Sequence, residues 1–123
     1  MDKKRILCID DEPMNLELLK AILEPQGYEV YRALNGKDGI VKLSGGGIDL
    51  VILDVSMPEL NGYEVCRMIK NNPGTSNTPV VLLSGLSGTE ETKRGMDAGC
   101  DDFISKPFSR TEFIERINTV LTK

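Results

Sequence analysis

A chain of 123 residues with 40% apolar and 28% charged side chains fits one domain of the usual size of about 100–200 residues, and roughly two-thirds of its unfolded surface can be buried without disulfide or metal staples. Its 15 Lys and Arg against 19 Asp and Glu leave a net charge of −4, with no basic run beyond Lys3-Lys4-Arg5, which disfavours nucleic acid as a direct ligand. No apolar stretch approaches the ~20 residues of a membrane span and no signal-peptide segment is visible, so no membrane contact and a cytoplasmic location are expected; the absence of histidine removes Ser-His-Asp and Cys-His schemes and leaves carboxylates, hydroxyls or lysine to carry any chemistry.

In chain order, Arg5–Ile9 is a continuous apolar run that reads as a first strand buried on both faces. Asp10 and Asp11 follow, and then Leu16, Leu19, Ile22 and Leu23 recur at helical spacing until Pro25 and Gly27 stop the pattern. Tyr28–Ala33 is a more polar strand suited to an edge, and Asp38–Leu43 a short second helix closed by Gly45, Gly46 and Gly47. Leu50–Leu53 is the third strand and ends against Asp54; Tyr63, Cys66, Ile69 and Lys70 mark a third helix between Gly62 and the Asn71–Gly74 turn. Val80–Leu83 is the fourth strand, ending against Ser84, and Ser87-x-x-Glu90 has the form of a capping box that opens a fourth helix. Asp102–Ser105 is the fifth strand. A second box, Ser109-x-x-Glu112, opens the last helix, whose stripe of Phe113, Ile117, Val120 and Leu121 belongs to the core. Cys8, Cys66 and Cys100 are odd in number and far apart, which excludes a disulfide or zinc framework; Cys8 and Cys66 read as small packing residues of a reducing compartment, and a redox role for Cys100 has little support.

Five strands alternating with five helices predict an α/β fold: an open, doubly wound parallel sheet of order 2-1-3-4-5. Ligands of such sheets sit beyond the carboxyl ends of the strands, where the strand order reverses, here between the first and third strands. That rim collects Asp10, Asp11, Asp54, Ser84 and Lys106. Any one of them fits an ordinary polar loop or helix cap. Three converging carboxylates, however, repel one another and raise one another's pKa unless a cation joins them. Oxygen donors without His or Cys suit magnesium or calcium; no D-x-[DN]-x-[DN]-G loop is present, which leaves Mg2+ with open positions for water and a phosphate oxygen. Lys106 and the Ser84 hydroxyl supply a charge and a donor for the other oxygens of a phosphoryl group, and Asp54 at the centre is the natural nucleophile. Neither a G-x-x-x-x-G-K-[ST] nor a G-x-G-x-x-G loop occurs, so the phosphoryl donor is not expected to be held as a nucleotide.

Through Asp10-Asp11, Asp54-Val-Ser-Met-Pro58, Asn61-Gly62, Ser84-Gly85 and Gly99-Cys-Asp-Asp-Phe-Ile-Ser-Lys-Pro107, the chain resembles the receiver domain of two-component response regulators, chemotaxis-regulator-like and flavodoxin-like in sheet order, over essentially residues 1–123 as a single receiver domain. The resemblance implies a phosphoprotein in phosphorelay signal transduction, with Asp54 accepting a phosphoryl group from a phosphohistidine on a sensor histidine kinase or histidine phosphotransfer protein. It implies Asp11 and Asp54 as direct Mg2+ ligands, the Ser56 backbone carbonyl as a third, and Asp10 acting mainly through water. Lys106 would contact the phosphoryl oxygen, Ser84 would swing toward the phosphate, and Phe103 would follow it inward, switching the face of helix 4, strand 5 and helix 5. The alternative for Phe103 is an ordinary packing aromatic. A cis Lys106-Pro107 peptide is also implied. Such a chain is not an enzyme, its chemistry being self-catalysed phosphorylation and dephosphorylation of its own aspartate.

Ser84 stands where the family more often has threonine and Gly85 where it has alanine, which predicts a looser switch loop. Ser56 and Leu86 occupy the variable positions flanking the attacking water, and apolar Leu86 cannot orient it, which predicts slow self-dephosphorylation. Three other readings compete: a receiver that acts only as an unphosphorylated interaction module, an Asp-nucleophile magnesium phosphatase of the haloacid-dehalogenase type, and a flavin or nucleotide binder on the same sheet. Ser56 stands where the phosphatase needs a second Asp, and a flavin site leaves Asp10, Asp11, Asp54 and Lys106 unexplained. The output, whether a partner or an effector domain, is not legible; Met57–Cys66 is similar to receivers joined to cyclic-dinucleotide enzymes or sensor-kinase domains, so a piece of a longer protein is expected. Glu90, Glu91, Lys93, Arg94, Arg110 and Arg116 could pair in a phosphorylation-dependent homodimer, a solvated charged face being the plainer reading.

Overall fold

The computed structural model describes residues 3–86 and 88–122. Its strands are β1 (Arg5–Ile9), β2 (Glu29–Ala33), β3 (Leu50–Asp54), β4 (Val80–Ser84) and β5 (Asp102–Ser105), and its helices α1 (Pro13–Leu23), α2 (Gly36–Ser44), α3 (Gly62–Asn71), α4 (Thr89–Asp97) and α5 (Arg110–Leu121). All strand pairs are parallel, in the order β2-β1-β3-β4-β5. The apolar runs explain why: every residue of β3 and β4 is buried, as a parallel strand covered by helices on both faces requires. Alternation then divides the core. Leu7, Ile9, Val51, Leu53 and Leu82 face α2 and α3 through Leu43, Tyr63, Val65, Cys66 and Ile69, while Ile6, Cys8, Leu50, Ile52 and Val81 face α1 and α5 through Leu16, Leu19, Leu23, Phe113 and Ile117.

The register carries the strand ends to one rim, with Ile9 beside Leu53, Asp54 beside Leu83 and Ser84 beside Ser105. Helix starts are set by caps. Pro13 opens α1, where its missing N–H is no loss; the Asn35 side chain accepts from the Asp38 N–H to start α2; and Asn61 with Glu64 makes a complete capping box at α3. Ser109 accepts from the Glu112 N–H at 3.0 Å, opening α5 as expected. Helix α4 differs from its expected start. Its cap position is Gly88, which offers no side-chain acceptor, and Ser87 lies outside the described residues. Helix α2 begins two residues before Asp38 because Asn35 takes the cap position, its side chain accepting from the Asp38 N–H. All three cysteines are buried; burial first, then nearby negative charge, pushes Cys8 and Cys66 up to about 12 and Cys100 up to about 11, so none is a thiolate near neutral pH.

Candidate functional site

The rim is assembled from backbone upward. The Asp10 N–H donates to the Ala33 carbonyl at 3.1 Å, continuing the β1–β2 ladder one step past the strand end. Its carboxylate accepts from the Glu12 N–H at 2.9 Å. The Lys106 N–H donates to the Ser84 carbonyl at 2.7 Å, which fixes the lysine's root beside β4, and the Lys106–Pro107 peptide is cis. From there the Lys106 Nζ reaches 2.9 Å from the Asp54 Oδ1. The loop after β3 folds back on itself: the Met57 and Gly62 N–H groups both donate to the Val55 carbonyl, at 3.2 and 3.0 Å. Only glycine fits at 62, since a Cβ there would lie 2.5 Å from the Asp54 carbonyl oxygen and 2.8 Å from the Val55 Cα.

Asp10, Asp11 and Asp54 each bring a carboxylate oxygen within 4.8 Å of the others. Asp10 is 1% exposed and Asp54 5%. Burial first, and then the Asp54 charge, pushes the Asp10 carboxyl above its ordinary range, against the Glu12 N–H, the Asn15 side chain and the Lys106 charge, which pull it down. The Asp54 Oδ1 is buried with no hydrogen-bond donor among the described residues; the Lys106 ammonium at 2.9 Å is a charge contact outside hydrogen-bond alignment. The three carboxylates thus share a single nearby ammonium, and the Asp54 oxygen it faces is left without a hydrogen bond, so the negative charge here exceeds the positive. The all-oxygen donor set, without His or Cys, fits a hard divalent ion such as Mg2+.

The remaining expected residues divide. Ser84 is fully buried and its Oγ accepts from the Leu86 N–H at 3.0 Å. Phe103 is 8% exposed and already inward, in the core. Ser56 is exposed next to Asp54, and Leu86 is 58% exposed at the mouth of the β4–α4 loop. Of the charges considered for a dimer, Arg116 is paired to Asp102 and reaches the Phe103 carbonyl at 2.9 Å, while Glu91 and Arg94 engage Tyr63. The sequence reading missed Asn15, in the first turn of α1, which lines, with Asp10, Leu18, Lys106 and Phe108, an apolar cleft of about 380 Å³ opening beside the acids. A lone polar residue in the first turn of a helix is common, so the sequence alone does not single it out.

Comparison with known proteins agrees with this geometry. The family model described as the response regulator receiver domain matches residues 6–118. A Vibrio cholerae protein named a probable cyclic di-GMP phosphodiesterase is 40% identical over 116 residues, covering 94% of this chain and 26% of that protein. The DNA-binding dual master transcriptional regulator RpaA of Synechocystis is 34% identical over 119 residues, covering 97% of this chain and 49% of that protein. The chain thus spans only a quarter to a half of the length of these relatives. Among solved structures, the signal receiver domain of a signal transduction histidine kinase from Syntrophus aciditrophicus superposes with a TM-score of 0.89 at 38% identity, covering 97% of this chain and 90% of that one. None of the described helices is long and apolar enough to cross a membrane.

Proposed function

The chain belongs to the response regulator receiver family, and on that premise we propose that it is a phosphoacceptor switch, with Asp54 taking a phosphoryl group from a phosphohistidine on a sensor histidine kinase or histidine phosphotransfer protein. The observation that carries this reading is the unsatisfied Asp54 Oδ1, buried between two further carboxylates and one lysine. An Asp54 oxygen attacks phosphorus as the bond from phosphorus to the donor nitrogen breaks, and the Lys106 ammonium meets the charge on the transferred oxygens. Asp11 and Asp54 would hold Mg2+ with the Ser56 carbonyl, and Asp10 would act through water. When bound, the ion neutralises the acids and polarises the phosphoryl group. The Ser84 hydroxyl, now accepting from the Leu86 N–H, must turn to reach a phosphoryl oxygen, which couples the β4–α4 loop to the acceptor and, through Phe103, to the α4–β5–α5 face.

No catalysis on a separate substrate is assigned to this chain. The named relatives place a phosphodiesterase and a DNA-binding regulator among proteins two to four times longer, so we assign output, DNA contact included, to other parts of such proteins or to partners. The chain's own charge of −4 supports no direct nucleic-acid contact, and three buried free cysteines support a reducing, cytoplasmic setting. Intact mass after incubation with acetyl phosphate tests the proposal: one phosphoryl group is gained with Mg2+, and none without it or in Asp54→Asn. A gain that survives Asp54→Asn would overturn it.

A further inference from the structure

Helix α4 is held differently from the other helices. It buries Gly95 alone, and its cap Gly88 has no side chain to offer, whereas α3 buries Gly62, Tyr63, Val65, Cys66 and Ile69. A nine-residue helix with so little apolar contact is not maintained by its own propensity. Two of its contacts among the described residues bear on how it is seated. At Gly95 its backbone rests on Phe103, since a Cβ there would lie 2.8 Å from the Phe103 Cδ2. One turn earlier, a side chain from α3 grips it: Tyr63, 2% exposed, donates its hydroxyl to the Glu91 Oε2 at 2.6 Å, and the Arg94 guanidinium lies 4.2 Å from the centre of the same ring. Glu91 and Arg94, at i and i+3, share the face of α4 turned to that ring. Burial first, then the bond to Glu91, pushes the phenol up to about 12, so it remains a donor throughout the physiological range.

We propose that Tyr63 is a positioning residue, a latch on α3 that keeps α4 seated on the inward Phe103 and thereby sets how readily the α4–β5–α5 face rearranges. The latch itself stands apart from the phosphoacceptor reading; its consequence for signalling rests on that reading. A buried aromatic that only filled the core would need neither a carboxylate at its hydroxyl nor a guanidinium over its face. A hydrogen bond to a charged group shifts a local equilibrium by about tenfold to a hundredfold, and Tyr63→Phe removes that bond while keeping the ring.

Amide hydrogen exchange on the unphosphorylated chain tests the latch. Tyr63→Phe and Glu91→Ala should each raise exchange within α4 about tenfold or more, leave β1, β3 and β4 unchanged, and show no added effect when combined. Unchanged α4 exchange in both variants would overturn the latch, as would an equal rise in every element, which reports lost global stability alone. The rate of phosphoryl uptake from acetyl phosphate with Mg2+ tests the consequence. Tyr63→Phe should take up phosphate severalfold faster than the parent, and an equal rate would overturn the coupling. Absence of uptake in the parent as well would contradict Asp54 as acceptor and leave the exchange result to decide the latch.

Discussion

Replacing Asp10 with Asn should make the metal-free protein more stable while weakening its response to Mg2+. Asp10 is 1% exposed, and its carboxylate shares a space in which the oxygens of Asp11 and Asp54 lie within 4.8 Å. Two unit charges at that distance repel by about 3.5 kcal/mol at an effective dielectric of about 20. Lys106, 2.9 Å from Asp54, offsets part of this, and Asp11 is more open to solvent screening, so the net relief is about 2 kcal/mol. The Asn side chain has nearly the same shape and can still accept from the Glu12 N–H, which donates to Asp10 at 2.9 Å. For a domain of this size the melting temperature should rise by about 6–12 °C at pH 7 without divalent ions. The pH dependence has a definite sign. Burial and then the Asp54 charge raise the Asp10 pKa above 3.8, so its ionisation costs folding free energy in full above the folded-state pKa, and the cost disappears as both states protonate below 3.8. The gap between variant and parent should therefore close on acidification. In Mg2+ the parent should gain stability by mass action and Asp10→Asn should gain less. A variant that melts at or below the parent at pH 7 without divalent ions would refute this reasoning, as would a gap that persists below pH 3.8.

Gly62→Ala would press a Cβ to 2.5 Å from the Asp54 carbonyl oxygen, backbone that cannot swing aside; a loss of about 2 kcal/mol is expected, read as a lower urea midpoint, and an unchanged midpoint would contradict the close approach. Phe113, fully buried and stacked on Phe108 at 4.6 Å, anchors α5, and Phe113→Ala should cost about 3–5 kcal/mol in chemical denaturation. Leu86, 58% exposed beside Ser84, offers nothing to hold a water, so Leu86→Glu should shorten the phosphoryl lifetime about tenfold, the worth of one hydrogen bond in the transition state; an equal or longer lifetime would remove Leu86 from that role.

Much of the fold was legible because parallel strands announce themselves as apolar runs. β1 and β5 begin and end where the pattern does, whereas β3 and β4 run one residue further, onto Asp54 and Ser84, because backbone pairing continues where side-chain polarity changes. The α3 cap, Asn61 with Glu64, has the same form as the Ser109 box but is masked by the adjoining Gly62, which reads as a breaker. The start of α4 was misplaced because Ser87-x-x-Glu90 has the form of a cap, while Gly88, which takes the cap position, carries no signal of its own. In the site, the sequence order of strand ends sufficed to bring Asp10, Asp11, Asp54 and Lys106 to one rim. Contacts across distant segments did not follow from it. The pairing of Tyr63 with Glu91 and Arg94 depends on the lateral placement of two helices, which no periodicity encodes.

The most direct test of the account locates the phosphoryl group chemically. An acyl phosphate is reduced by borohydride to the alcohol, so treating the protein after acetyl phosphate and Mg2+ and sequencing its peptides by mass should show homoserine at position 54, with Asp10 and Asp11 intact. Reduction at Asp10 or Asp11, or a phosphoryl group that resists borohydride and remains on a hydroxyl residue, would contradict Asp54 as the acceptor.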